Sequence, residues 1–381
     1  MPGGPLSLAS ITDAAPGASA ASAAGSEGGE GDEGEAKGGD GDGANLLGGN
    51  TSSSSSSSSS NHVKTVFFIR HGESNWNKAQ HDKNIGLAFG FDHGLSGTGR
   101  LQAVGLNDRL AALLKTRSFD EADKGSFGEG SRKTSESLEK GPGKGPGKGG
   151  SMTREYRDHL YNEFLRAPGP VIVSPLTRAI QTCMFGVQSH PALTDKGVRL
   201  VTEAREVKNL IGVDTIGIAK GPEIKARLLS ETAELLKEIP DDDTCTFMET
   251  VPFDYNDACD EWWSTRKETA DDVTRRMHEL IEYIKHMTGD SVIIIGHSLM
   301  FRKLVSTFLA DAFKQAHPEL SDILCTQKLP NAGVLGTKIN FAQDDHDGCI
   351  LEAWPLFGTN FGKAEGKAEG KAEGAGGGGK E

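Results

Sequence analysis

Short apolar runs and longer helical stripes alternate along the chain. Val63–Ile69 (VKTVFFI), Val171–Val173, Val198–Val201 and Ser291–Ile295 (SVIII) are compact runs rich in β-branched residues, and they read as buried strands. Val334–Ile339 and Cys349–Ala353 read as final strands. Between them the apolar positions take helical spacing. Leu106, Leu110, Leu113 and Leu114 mark a helix over Leu101–Leu114, and residues 222–238 read as another. In Thr269–Met287 the stripe Val273, Met277, Leu280, Ile281, Ile284 and Met287 gives the clearest helix, ended by Gly289. Pro175 is placed to open a helix after Val171–Val173, and a further helix starts near Leu299. Strand and helix alternating in this way predict an α/β domain with a largely parallel sheet.

Composition divides the chain. Of 50 glycines in 381 residues, 31 fall in residues 1–60, 125–150 and 361–381. Residues 1–61 are Gly/Ala/Ser-rich and end in the serine run Ser52–Ser60. Residues 117–151 contain GPGKGPGKGG, and GKAE occurs three times from Gly362. Such segments have too little apolar surface to offset their ordering entropy. The expected organisation is a low-complexity tail over 1–61, a domain over 62–357 with an insertion at 117–151, and a second tail over 358–381.

The net charge is −13, and residues 1–60 hold eight acids against one lysine. No basic footprint for nucleic acid is present. No run of about 18 apolar residues predicts a membrane span, and the N-terminus lacks the marks of a secretory or transit peptide. Five cysteines, Cys183, Cys245, Cys259, Cys325 and Cys349, are scattered without a CxxC pair. That number and spacing fit a reducing compartment, and a cytoplasmic location is expected.

The chemistry gathers at strand ends, where sheets of this kind bind ligands. Arg70-His71-Gly72-Glu73-Ser74 follows the first strand, Ser174-Pro175-Leu176-Thr177-Arg178 the second, and Gly296-His297-Ser298 the run SVIII. Two arginines and two histidines at one sheet edge complement a phosphoryl group, which a guanidinium grips with its planar fork. A neutral imidazole is a competent nucleophile toward phosphorus. Two arginines and a second, protonated histidine could neutralise the oxygens without a metal. An acid must then protonate the leaving oxygen, and Val201-Thr202-Glu203-Ala204-Arg205-Glu206 offers two carboxylates.

These segments carry a resemblance. RHGESNWN (Arg70–Asn77) and SPLTRAIQT (Ser174–Thr182) resemble the signatures of the histidine phosphatase superfamily, also called phosphoglycerate mutase-like. Leu95-Ser96, Gly99, Gln102-Ala103 and IIIGHS (Ile293–Ser298) resemble its further motifs in order, and the likeness spans about residues 63–355. The resemblance implies an α/β three-layer sandwich with a mostly parallel central sheet flanked by helices. It implies His71 as the phosphorylated nucleophile, with Arg70, Arg178 and His297 holding the phosphoryl oxygens and Asn77 adding a hydrogen bond. Glu206 is the expected proton donor, because Ala-Arg-Glu-Val resembles the family's Leu-Arg-Glu-Ile; Glu203 is the alternative. Ser298 stands where members commonly have glycine, and VKNLIGVDTIG after Glu206 is unlike many members.

The chain lacks the Glu-Arg-His-Tyr-Gly and Gly-Leu-Asn-Lys strings of cofactor-dependent phosphoglycerate mutases. The expectation is therefore a metal-independent phosphatase that hydrolyses phosphomonoesters through phosphohistidine, with no cofactor. The substrate is a small phosphate ester or a phosphoprotein, and neither nucleic acid nor membrane is a partner. The alternatives are a phosphoglycerate or phosphosugar mutase using the same His71, and a phospho-ligand-binding or scaffold protein without catalysis. Asp214-Thr215-Ile216-Gly217, Glu261-Trp262-Trp263 and Leu329-Pro330-Asn331-Ala332 resemble a eukaryotic branch of mutase-like proteins. Trp262 and Trp263 are expected in packing before a pocket. The serine run and the Ser/Lys insertion read as solvated linker, with phosphorylation or docking as the alternative.

Overall fold

β1 (Val63–Arg70) lies inside a seven-stranded sheet, in a computed structural model that describes residues 62–83, 90–116, 152–208, 213–237, 241–342 and 346–361. The other strands are β2 (Val171–Val173), β3 (Val198–Leu200), β4 (Phe253–Asp254), β5 (Ser291–Gly296), β6 (Val334–Asn340) and β7 (Ile350–Leu356). Their order is β4-β3-β2-β5-β1-β6-β7. Each pair from β4 to β1 is parallel, and β6 runs antiparallel to both β1 and β7. The low-complexity segments 1–61, 117–151 and the GKAE repeat from Gly362 lie outside the described residues. Before that repeat, Thr359 accepts the amide of Val334 at 2.8 Å and Phe361 packs against the core.

Among the described residues eleven helices accompany the sheet: α1 (Asn75–His81), α2 (Gly97–Thr116), α3 (Arg154–Leu165), α4 (Thr177–Gly186), α5 (Pro191–Lys196), α6 (Glu223–Leu235), α7 (Asp242–Thr250), α8 (Ala270–His286), α9 (Ser298–Phe308), α10 (Asp311–Ala316) and α11 (Pro318–Thr326). Helices cover both sheet faces. Phe67 meets Phe164 of α3 edge-on, with ring centroids 5.1 Å apart, and its neighbour Phe68 meets Phe301 of α9 at 5.0 Å. Successive strand residues point to opposite faces, so α3 and α9 lie on opposite sides. This is why β1 is buried from Thr65 to Arg70 and reads as a continuous apolar run. Burying each such phenylalanine contributes about 1.5–3 kcal/mol. The sandwich expected from the sequence is therefore present.

α8 shows how local signals and packing agree. Thr269 and Asp272 form a capping box, Val273, Met277, Leu280, Ile281 and Ile284 are buried, and Lys285 and His286 stand in the last turn. Several boundaries differ from expectation: α2 begins at Gly97 and not at Leu101, and β7 runs on to Leu356. Pro175 does not open a helix; α4 begins at Thr177. The Asp92 carboxylate accepts the Thr177 amide and hydroxyl, each at 2.8 Å, so a remote residue sets this start. No helix among the described residues is long and apolar enough to cross a membrane.

Candidate active site

The parallel register brings the charged turns together. Arg70 ends β1 opposite Gly296, which ends β5, and His71 donates its backbone N–H to the Gly296 carbonyl at 3.0 Å. Ser174 follows β2 and donates its own amide to the Ile295 carbonyl at 3.0 Å. Arg70, His71, Arg178 and His297 are thereby gathered at one sheet edge, all buried. The rings of His71 and His297 lie 5.0 Å apart.

The turn after β1 requires glycine. A Cβ on Gly72 would stand 2.4 Å from the Gly99 carbonyl oxygen, and one on Gly99 would stand 1.9 Å from that of Glu73. The loop therefore lies directly on the start of α2. Ser96 Oγ donates to the Glu73 carboxylate at 2.6 Å, and Gln102 Oε1 accepts the Glu73 amide at 2.8 Å. The Leu95–Ala103 segment thus serves as the bed of the histidine loop. From the other side, Asn331 Nδ2 donates to the His71 carbonyl at 3.1 Å, and Arg70 donates to the Leu329 carbonyl at 2.6 Å. This gives the Leu329–Ala332 string a supporting place that sequence reading did not assign.

His71 Nδ1 lies 2.6 Å from the Gly72 carbonyl oxygen. A carbonyl only accepts, so Nδ1 carries the proton and Nε2 keeps the lone pair. Burial first, then Arg178 and Arg70, with a smaller contribution from Lys328, lower the His71 pKa well below 6.5, against the Gly72 hydrogen bond. The His297 pKa is also well below 6.5, through burial first and then Arg178, His71 and Arg70. Without an anion bound, these surroundings favour the neutral form of His297. A phosphoryl dianion among the same groups acts in the opposite direction.

Several buried nitrogens here have no hydrogen-bond partner in the protein. His297 Nε2 meets Ser174 Oγ at 2.8 Å, while its Nδ1 is unpartnered, as are Nε of Arg70 and Nε of Arg178. Burial foremost lowers the Arg70 pKa to about 10, still a cation at neutral pH. Arg178 donates to the Asp214 carbonyl at 2.9 Å and pairs with its carboxylate at 3.4 Å. Asp214 sits in a short 3-10 turn, Val213–Thr215, and its pairing with Arg178 was not legible in sequence.

Arg70, His71 and Arg178 border a cavity of about 480 Å³; His297 is not among its lining residues, although Ser298 and Leu299 directly after it are. Of the other residues expected from the sequence, Asn77 and Glu206 line it as well; Trp76, Gln80, Asp214, Lys267 and Lys328 also line it and were not foreseen. Asn77 Oδ1 accepts the Ser74 amide at 3.2 Å in the capping box of α1, which leaves its Nδ2 for the cavity. Glu206 Oε1 accepts the Val207 and Met300 amides at 2.9 and 3.1 Å, so the carboxyl docks on the first turn of α9. Burial outweighs those bonds and the Arg178 charge, and the Glu206 pKa is raised above 4.5. Glu203 is not among the lining residues; its carboxylate accepts the neighbouring Thr202 hydroxyl at 3.1 Å. Trp262 is buried, donates to the Ala219 carbonyl at 3.0 Å and packs on Trp263, with neither ring lining this cavity.

No protein-family model matches the chain, and no curated protein matches it. Among solved structures, it is similar to a Bacillus anthracis phosphoglycerate mutase, at 14% identity and a TM-score of 0.35, over 77% of this chain and 93% of that one. It is also similar to a mycobacterial glucosyl-3-phosphoglycerate phosphatase, at 14% identity and a TM-score of 0.34, over 78% of this chain and 100% of that one.

Proposed function

We propose that the protein is a phosphomonoester hydrolase working through a phosphohistidine on His71. The observation that carries this reading is the pair of buried, unpartnered guanidinium donors on the cavity that the His71 ring also lines: Arg70 Nε and Arg178 Nε. Buried donors are nearly always satisfied, and two such arginines lining one cavity suit an anion with several oxygens.

The steps follow from the groups present. His71 Nε2 attacks phosphorus, and the bond from phosphorus to the ester oxygen breaks. Glu206, its pKa raised, gives its proton to that oxygen and releases the alcohol. A water then attacks the phosphohistidine while the Glu206 carboxylate takes its proton. The N–P bond breaks, and inorganic phosphate leaves with His71 neutral again. Arg70 and Arg178 hold the charge on the equatorial oxygens throughout, as preorganised cations do. Cavity residues Gln80, Lys267 and Lys328 are exposed to solvent, which supports transfer to water over retention of an intermediate for a mutase cycle.

The test is rapid quench with p-nitrophenyl phosphate in EDTA. Acid-labile, base-stable phosphate on the protein, with turnover, and both absent in His71→Ala, is the expected result. Labelling that turns over only when a bisphosphate primer is supplied would make the protein a mutase. Absence of labelling with either would leave a phosphate-binding protein.

A further inference from the structure

We propose that Glu268 and Arg276 are positioning residues for the proton donor, a buried clamp that holds the main chain on both sides of Glu206. The proposal rests on the phosphohistidine reading above. Arg276 lies on α8 with 3% of its side chain exposed, and Glu268 precedes that helix with 8% exposed. They form a two-pronged pair: Nε to Oε1 at 2.8 Å and Nη2 to Oε2 at 2.9 Å. The remaining Arg276 nitrogen, Nη1, donates to the carbonyls of Glu203 and Arg205, at 2.8 and 2.9 Å.

Glu268 takes hold downstream of the acid. Its Oε2 accepts the Lys208 amide at 2.8 Å, and its own amide donates to the Lys208 carbonyl at 3.1 Å. Its Oε1 also accepts from Arg205 Nη2 at 3.2 Å, and Arg205 in turn donates to the Thr202 carbonyl at 3.0 Å. The chain is thus tied at residues 203, 205 and 208, with Glu206 in the interval. No regular helix or strand holds this stretch; only a three-residue 3-10 turn, Thr202–Ala204, precedes it. Without the pair the acid would sit on an irregular segment that loses its ties at residues 203, 205 and 208 to Arg276 and Glu268.

A fork pair suits the task. Guanidinium and carboxylate fix both distance and orientation, and five donors let one arginine serve a partner and two carbonyls together. Positioning matters steeply, since displacement of a reacting group by about 1 Å can reduce a rate about 100-fold.

The experiment separates proton delivery from every other step by changing the leaving group. A dinitrophenolate departs without a proton, whereas an alkoxide requires one. First-turnover release is measured for 2,4-dinitrophenyl phosphate and glycerol 2-phosphate in wild type, Glu268→Gln, Arg276→Lys and, as the benchmark for a lost acid, Glu206→Gln. The clamp variants are expected to stay within about threefold of wild type on the aryl ester and to fall at least about tenfold on the alkyl ester. A structural role alone would lower both rates together. Parallel losses, or no loss on either ester, overturn the clamp. Glu268→Asp retains the charge and withdraws the carboxylate by one methylene, and it takes the place of a variant that melts below the assay temperature. Wild type that forms no phosphohistidine from the aryl ester overturns the underlying reading instead.

Discussion

Glu206 accepts the backbone N–H of Met300 at 3.1 Å, which fastens the acid to the helix that begins directly after His297. The same contact lets helix α9 stabilise the carboxylate, yet burial prevails and the pKa stands above 4.5. Protonated Glu206 is the form that delivers the proton, and it declines as pH rises through this raised pKa. His71, whose own pKa is lowered well below 6.5, is neutral from neutral pH upward. The rate on alkyl phosphates is therefore expected to fall toward alkaline pH. Glu206→Gln should remove that dependence and lower the rate on alkyl esters about 100-fold or more. A pH profile of kcat/KM for wild type and Glu206→Gln checks both, and an unchanged alkaline limb in the variant would remove Glu206 from the mechanism.

The lowered pKa values of His71 and His297 also bear on stability. Their folded pKa values are depressed below 6.5, so the unfolded chain binds more protons as pH falls past 6.5. Stability from these groups is present above pH 6.5 and is lost as pH falls from there toward their folded values. Each contributes a slope of at most about 1.4 kcal/mol per pH unit. Urea unfolding between pH 5 and 7.5 should show this decline, shallower in His71→Gln. Equal slopes in the two proteins would mean that His71 is not held neutral.

Much of the fold and the site's centre was legible because both rest on local signals. VFFI and SVIII are strands by composition alone, and each delivers its charged residue where the strand ends. What escaped sequence reading depends on chain-distant partners. Asp92 sets the start of α4 and so the seat of Arg178, across 85 residues, through its bonds to Thr177. Asp214 is fixed by Arg178 from 36 residues away. The choice between Glu203 and Glu206 turns on which carboxyl faces α9, and no pattern within VTEAREV encodes that. α3 escaped for another reason: its apolar residues are outnumbered, and only Leu160, Tyr161 and Phe164 are buried.

Lys267 and Lys328 border the cavity from separate segments, and Lys328 is near enough to contribute to the lowered pKa of His71. On the proposed reading the arginines hold the phosphoryl group, and these two lysines remain to meet the rest of the substrate. Esters bearing a second anionic group are therefore expected to bind better than neutral alkyl phosphates. Lys267→Ala with Lys328→Ala should raise KM for a carboxylated phosphate ester about 3- to 30-fold, as befits exposed charge pairs, with kcat within about twofold. Added salt should reduce the difference. Equal KM changes for neutral and carboxylated esters would show that the lysines do not select the substrate.

Gly72 and Gly99 make the sharpest steric prediction. The Gly72 position offers a Cβ only 2.4 Å from the Gly99 carbonyl oxygen and 3.0 Å from its carbon, both rigid backbone atoms. Gly72→Ala must then push the β1–α1 loop off α2, and His71, one residue earlier, moves with it. Overpacking of this kind destabilises by about 1–3 kcal/mol. Thermal melting should drop by about 2–4 °C for each kcal/mol lost. Phosphohistidine formation should suffer more than stability, because the nucleophile must stay aligned with the arginines. Gly97→Ala is the control: it lies at the start of the same helix, and nothing lies within 4 Å of its Cβ. It should leave both melting and labelling near wild type. If Gly72→Ala labels at the wild-type rate, the loop has room that the packing on Gly99 denies, and the tight seating of His71 is not what makes it reactive.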